Sequence, residues 1–196
     1  MTEKCNVCSL EVYGPTEYQG SARDQFWPKN RHRVAFADSA SWSMVGAASQ
    51  VLALVNDLDM NSVGNILISP NGPNETLDEI IEMVARGRVS PMRFPAATPS
   101  SLLAPTSIIF GLQGPSLNLV AHPDEAIPVV SSIAARWFAN FHLEAVLISI
   151  VVTVENNPTA KSLLIKSIGQ VPNNKEVAAC LDLLHPPVHR RPEAEV

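Results

Sequence analysis

The residues best suited to proton chemistry lie in the stretch VAHPDEA, residues 120–126, where His122 is followed by Asp124 and Glu125. A histidine beside carboxylates can exchange protons near neutral pH, because the acids orient the imidazole and tune its charge. Proline and acidic residues also favour the first turn of a helix. Two interpretations follow: an acid/base site at His122, Asp124 and Glu125, or a helix cap with a surface histidine.

The three cysteines give a weaker signal. Cys5 and Cys8 form a single C-x-x-C pair, and Cys180 lies far from both. A zinc site needs a second ligand pair at suitable spacing, and a redox pair normally sits between a strand and a helix. We therefore expect no metal and no cofactor. A chance or strand-edge pair is favoured at Cys5 and Cys8, with metal binding or redox chemistry as the alternative.

Alternating strands and helices must position these residues. Apolar residues at helical spacing predict a helix over 39–58, capped by Ser39 or Ser41, and an amphipathic helix over 75–87. A third, long helix is predicted over 124–142. Apolar runs predict strands over 9–14, 63–70, 115–121 and 143–155. The alternation indicates α/β layers.

Other segments are rich in turn-forming or polar residues. We expect a turn at Gly14–Pro15, a polar loop ending near Trp27 and Pro28, and a turn at NNPTAKS, residues 156–162. The stretch 33–38 is compatible with an extended segment. The sequence predicts one domain over residues 1–185 and a loose, charged, proline-rich tail over 186–196.

Composition limits the class of function. The chain has 196 residues, of which 46% are hydrophobic and 17% charged, and its net charge is −5. These values are typical of a globular domain, and the negative charge argues against nucleic-acid binding. No signal peptide is recognisable, and the longest apolar run, residues 145–154, is too short to span a bilayer. We therefore expect a cytoplasmic protein that is not embedded in a membrane.

Two longer pieces are more specific: GRVSPMRFP, residues 87–95, and FGLQGPSLNL, residues 110–119. In their order and spacing, residues 63 to about 150 resemble the N-terminal half of a β-ketoacyl synthase, a thiolase-fold enzyme of fatty-acid and polyketide assembly. The resemblance implies an α/β fold that is a three-layer-like half of a thiolase fold, with a mixed sheet flanked by helices.

The departures from that family matter as much as the match. The family's nucleophile motif, T-A-C-x-S-G, falls on VAHPDEA, so that Pro123, or Asp124 with one inserted residue, takes the place of the cysteine. The sequence also does not contain the second half of the family, which carries its catalytic histidines and lysine. The resemblance therefore implies a truncated ketosynthase-like protein that does not catalyse condensation.

Two functions are compatible with these observations. The first is an interaction role in a bacterial pathway that builds fatty-acyl or polyketide chains: a homodimer, or a heterodimer with a ketosynthase as a chain-length-factor-like subunit, in contact with acyl carrier protein. An apolar face left uncovered by the missing half would mediate pairing. The second is a non-covalent enzyme, an isomerase, dehydratase or cyclase, that uses His122 with Asp124 or Glu125 on a carrier-bound chain. A degenerate, inactive fragment is a third interpretation.

Overall fold

The computed structural model describes residues 4–7, 9–30, 33–88, 90–155 and 157–185. Within these ranges the chain forms six strands, six α-helices and three short 3₁₀ helices. The strands are β1 (Lys4–Val7), β2 (Leu10–Gln19), β3 (Val63–Ile68), β4 (Ser116–Leu119), β5 (Ala145–Val154) and β6 (Asn157–Ser167). The α-helices are α1 (Arg23–Asn30), α2 (Ser39–Leu52), α3 (Asn74–Ala85), α4 (Ala104–Phe110), α5 (Pro123–Phe141) and α6 (Asn174–Leu181). The 3₁₀ helices are η1 (Met60–Ser62), η2 (Pro91–Ala97) and η3 (Pro99–Leu102).

The strands form one mixed sheet in the order β1-β2-β6-β5-β3-β4. β3 pairs in parallel with both β4 and β5, whereas the pairs β1–β2, β2–β6 and β6–β5 are antiparallel. Both faces of β3, β5 and most of β6 are buried, because helices cover the sheet on either side. The predicted fold class, a mixed sheet flanked by helices in three layers, is therefore confirmed.

One face of the sheet is covered mainly by α2, which is buried along nearly its whole length. Small residues allow this close approach: a Cβ added at Gly46 would overlap the ring of Tyr18 on β2. The helix begins at Asp38, whose Oδ1 accepts a hydrogen bond from the Ala40 N–H at 3.0 Å. The predicted cap at Ser39 or Ser41 was thus wrong by one to three residues.

Asp38 also holds a second helix. Its Oδ2 accepts hydrogen bonds from the N–H and the hydroxyl of Thr76, at 3.0 and 2.9 Å, in the first turn of α3. Because Asp38 is buried, one carboxylate satisfies donors at the starts of both α2 and α3. Thr76 is the one buried residue among those of α3, so this contact fixes an otherwise exposed helix.

The opposite face is covered by α5 and α6. Val130, Ala134 and Phe138 of α5 pack on apolar residues of β3, β5 and β6. α6 adds Leu181, and the turn that follows adds Leu184, to the same core. The outer side of this layer is mixed rather than broadly apolar, since it exposes Arg136 and Asp182 as well as Val129, Phe141 and Leu183. The expected large uncovered apolar face is not found at this layer.

The FGLQGP segment folds into the connection that sets β4 beside β3. α4 ends at Gly111, which has a φ of 72°, in the left-handed region that glycine adopts without strain. The Gly114 N–H donates to the carbonyl of Val63 at 3.1 Å, and an added Cβ at Gly114 would overlap that carbonyl. The backbone requirements at Gly111 and Gly114 therefore explain the spacing of the two glycines in this motif.

Several local predictions were wrong. The predicted polar loop contains α1, residues 33–38 form turns rather than an extended segment, and NNPTAKS lies largely in β6. β2 continues past Gly14–Pro15, with an irregular register between Tyr13 and Thr16, instead of ending there. None of the helices within the described ranges has the length and apolar character needed to cross a bilayer. The predicted tail, residues 186–196, lies outside the described residues.

Candidate functional site

The candidate acid/base residues His122, Asp124 and Glu125 lie at the start of α5. β4 ends at Leu119, and His122 occupies the cap position with φ −66° and ψ 145°. Pro123 opens the first helical turn, where its missing N–H removes one unpaired donor, and Asp124 and Glu125 follow as carboxylates at the positive end of the helix dipole. The backbone of this segment is thus a helix start, and the His122 side chain makes no capping hydrogen bond.

The same helix start borders an open cleft of about 650 Å³. Such a volume is on the order of that found for small-molecule sites, about 300–1,000 Å³. The cleft lies at the carboxyl ends of β3 and β5, which is where ligands bind in open parallel α/β sheets. Its walls comprise Pro70, Asn71, His122, Pro123, Asp124, Ile150, Val152, Thr153, Thr159, Lys161, Leu184 and His185.

A contact that the sequence did not predict joins the C-terminal part of the fold to this cleft. His185 Nε2 lies 3.0 Å from Asp124 Oδ1. α6 and the turn after it carry His185 to the start of α5, and Leu184 beside it is buried in the core. A protonated His185 would form an ion pair with Asp124; a neutral one with hydrogen on Nε2 would donate a hydrogen bond. No local pattern could have indicated this pair, because the residues lie 61 positions apart.

The predicted site residues are brought together only in part. His122 and Asp124 both line the cleft, whereas Glu125 is exposed and is not among the lining residues. The Glu125 main-chain N–H donates to the carbonyl of His122, which is a helix-start contact rather than a catalytic one. Lys161 contributes a cation to the cleft wall and also lies 3.4 Å from Glu17. The histidine and charged side chains among the cleft walls are therefore His122, Asp124, His185 and Lys161.

A nucleophilic thiol is not among the described residues around this cleft. Cys180 is buried in α6 and donates its S–H to the carbonyl of Glu176. Cys5 lies in β1, at the sheet edge opposite β4, and Cys8 lies outside the described residues. No group of three or more histidine, cysteine, aspartate or glutamate side chains within the described ranges is placed to hold a metal ion. The arrangement can support proton transfer or polar binding, but offers no sulfur nucleophile at the helix start.

Comparisons with known proteins point to one fold. No protein-family profile and no curated protein sequence matches the chain. Among solved structures, a ketosynthase in complex with its chain length factor from Xenorhabdus doucetiae matches with a TM-score of 0.57 and 14% identity. That match covers 82% of this chain and 79% of the other, so the two chains are similar in length.

Two further structures agree. A type II polyketide synthase acyl-carrier protein in complex with its ketosynthase bound to the hexaketide matches with a TM-score of 0.58 and 14% identity, over 80% of this chain and 62% of that chain. The ishigamide ketosynthase/chain length factor matches with a TM-score of 0.60 and 15% identity, over 74% of this chain and 47% of that one. The chain thus spans less than two thirds of these two proteins. It has the ketosynthase-like thiolase fold that the sequence resemblance implied.

Proposed function

We propose that this protein is a condensation-inactive, ketosynthase-like subunit of a polyketide or fatty-acyl pathway that pairs with a catalytic ketosynthase. The observation that carries the proposal is the start of α5, where Pro123 and Asp124 occupy the position expected for the nucleophile. The described cleft walls contain no cysteine, so a thioester has no sulfur to attack it there. The place of action would be the cytoplasm, where acyl carrier proteins deliver the chain.

An open sheet edge supports pairing. β4 is the last strand of the described sheet and bonds only to β3. The carbonyls of Pro115 and Leu119 accept hydrogen bonds from the N–H groups of Asn65 in β3 and of Ser69 just after it. By the alternation of a parallel ladder, Ser116 and Asn118 therefore direct their main-chain N–H and C=O groups away from β3. Unpaired groups in a row are a template for a strand of another chain. The similar structures of ketosynthase/chain length factor complexes favour a ketosynthase as that chain.

The edge can be tested with two matched substitutions. Val120 directly follows β4 and is 53% exposed, whereas Val171 lies after β6 and is 59% exposed. Each ketosynthase of the host would be co-expressed with one of three tagged chains: the wild type, the Val120→Lys variant or the Val171→Lys variant. The mass of each purified complex would then be measured by light scattering. We expect a mixed complex with the wild type and Val171→Lys, and at least tenfold weaker pairing with Val120→Lys, because a buried unpaired ammonium opposes association.

The proposal also requires chemical inactivity of the chain alone. When this chain is incubated with acyl-carrier thioesters, intact-protein mass spectrometry should detect no acyl group on it. The partner ketosynthase, treated in the same way, should become acylated. A condensation product, or a covalent acyl adduct on this chain, would show that the subunit is catalytic and would contradict the proposal.

A second candidate function rests on the cleft and its pair of histidines. A non-covalent isomerase, dehydratase or cyclase could use His122 as a base and the His185–Asp124 pair as an acid toward a carrier-bound chain. In a reconstituted pathway, His122→Ala and His185→Ala should then abolish conversion of that chain while the circular dichroism spectrum is unchanged. Unaltered products in both variants would remove this candidate and leave the pairing role standing.

A further inference from the structure

An apolar strip of β5 forms the floor of the cleft at the start of α5. Ile150 and Val152 line the cleft and pack with the core beneath α5 and α6. Because side chains alternate along a strand, Val154 lies on the same face of the sheet. We call these three residues the β5 strip. Ile150 is 5% exposed and Val154 is 63% exposed, so the strip begins in the core, crosses the cleft and emerges into solvent.

A cation lies beside this strip on the neighbouring strand. Lys161 of β6 is the register partner of Ile150, and residues directly opposite each other in an antiparallel pair have their side chains on the same face. Thr159, the register partner of Val152, adds a hydroxyl next to it, and both residues line the cleft. One long side of the apolar strip therefore has an ammonium and a hydroxyl within reach of a bound molecule.

The charge of Lys161 is only weakly compensated by its neighbour. The ammonium lies 3.4 Å from Glu17 Oε2, and the two side chains are 45% and 58% exposed. An ion pair that is this long and this exposed contributes little to stability, so the ammonium can exchange Glu17 for another carboxylate. Asp124, the carboxylate of the cleft wall, is by contrast already bonded to His185 at 3.0 Å. The charge beside the strip is thus available to an anion.

We propose that the cleft binds the anion of a linear aliphatic carboxylic acid, with the alkyl chain along the β5 strip and the carboxylate on Lys161. From Ile150 to Val154 the strip is about 13 Å long at about 3.3 Å per residue, which accommodates an extended chain of medium length. The alkyl chain binds because it covers apolar surface that is otherwise in water. A phosphate dianion fits less well, because Asp124 at the helix start opposes a second negative charge.

The ligand is the free acid rather than a thioester, because a thioester has no charge to place on Lys161. This binding requires neither the pairing with a ketosynthase nor the acid/base chemistry proposed above. Its failure would therefore leave both of those functions untouched, and their failure would leave this site standing.

Isothermal titration calorimetry of the full chain with ligands of equal chain length tests the charge preference. Octanoate should bind about three- to fivefold more tightly than octan-1-ol, the gain expected for a partly exposed ion pair. Octylammonium should bind more weakly than octan-1-ol, because its charge repels Lys161. Equal affinities for the three ligands, no binding of octanoate at millimolar concentration, or displacement of octanoate by inorganic phosphate would each overturn the proposal.

Two substitutions in one ion pair separate ligand binding from a structural role. Lys161→Gln should lower the affinity for octanoate to that for octan-1-ol, whereas Lys161→Arg should retain it. Glu17→Gln should raise the affinity, because the ammonium then has no competing carboxylate. Lys175→Gln, at an exposed lysine of α6, is the control and should bind like the wild type. If Lys161→Gln and Glu17→Gln shift the affinity in the same direction, the pair serves the fold and the proposal is overturned.

The position of the alkyl chain is tested at the exposed end of the strip. Val154→Asp should weaken octanoate binding at least about threefold, because the chain loses apolar surface and meets a like charge. Val171→Asp changes a valine of similar exposure, 59%, that lies beyond the end of β6 and away from Thr159. It should bind like the wild type. An equal loss in both variants would mean that octanoate adsorbs to exposed valines in general and would overturn the proposal. Circular dichroism checks that each variant is folded.

Discussion

At the scale of single residues, the start of α5 shows which groups satisfy a helix end that holds no cysteine. A cysteine at such a position is activated because the helix dipole and free N–H groups stabilise its thiolate. Pro123 supplies neither sulfur nor N–H, and Asp124 supplies a negative charge that meets the dipole directly. The His185 ring then caps that charge from the other side of the cleft. The positive potential of the helix end is thus neutralised within the chain.

A second carboxylate, Glu144, is expected to contribute to stability through its charge. Glu144, just before β5, lies 2.7 Å from the Lys166 ammonium and accepts a hydrogen bond from the Asp59 N–H at 3.0 Å. The Lys166 ammonium, with the Asp59 N–H, holds the pKa of Glu144 below its usual range, and Glu144 in turn raises the pKa of Lys166. A carboxyl with a lowered pKa in the folded state stabilises the fold above its unfolded pKa, and that contribution disappears as pH falls through the folded value.

We therefore predict that Glu144→Gln lowers the free energy of unfolding at neutral pH by about 1 kcal/mol or less, because the pair is only partly buried. The difference from the wild type should shrink once pH falls below the ordinary glutamate range, about 4.3. Urea unfolding at a series of pH values measures it, with Glu155→Gln, an exposed glutamate after β5, as the control. An equal loss at neutral and acidic pH would mean that Glu144 acts by packing rather than by charge.

At the scale of elements, the sequence predicted the helices and strands whose apolar residues repeat at a regular interval, and missed those held by contacts distant in sequence. α1 has no apolar stripe, contains Pro28 and buries no residue completely. It is held instead by Phe26 and Trp27, which pack edge-on against Phe110 and Trp42. Those rings come from other parts of the chain, so no window of local sequence contains the reason for this helix.

β6 and α3 show two further limits of local patterns. Asn–Pro chemistry indicated a turn at 156–162, yet Pro158 lies in β6, close to where the strand begins, a position that proline tolerates. For α3 the helical period was right, but a period does not tell whether the apolar stripe faces the core or the solvent, and here Ile81 and Val84 are exposed. The motif FGLQGP was more informative, since Gly111 and Gly114 meet backbone requirements that few other residues satisfy.

At the scale of the whole molecule, the cleft forms because β6 and the segment after α6 pack beside the start of α5. β3, β5 and α5 could be placed from the sequence, and they bring His122 and Asp124 to one sheet end. The remaining wall of the cleft, which contains Lys161 and His185, forms because β6 pairs with both β2 and β5 and because α6 packs against α5. These pairings depend on the tertiary fold, which is why His185 and Lys161 were not among the predicted site residues. The core and the cleft thus share residues up to position 185.

This sharing leads to a prediction about domain limits. A chain of residues 1–185 should unfold in a single transition with the midpoint of the full-length protein, since it contains the whole described sheet and both helical layers. A chain of residues 1–181 loses Leu184, which is 1% exposed, and the His185–Asp124 contact. We expect it to be less stable by about 2–5 kcal/mol, the usual range for truncating a buried leucine to alanine. Thermal unfolding followed by circular dichroism compares the three chains directly. Equal stability of the two truncated chains would show that the turn after α6 is not part of the core. A second transition in residues 1–185 would instead divide the predicted single domain.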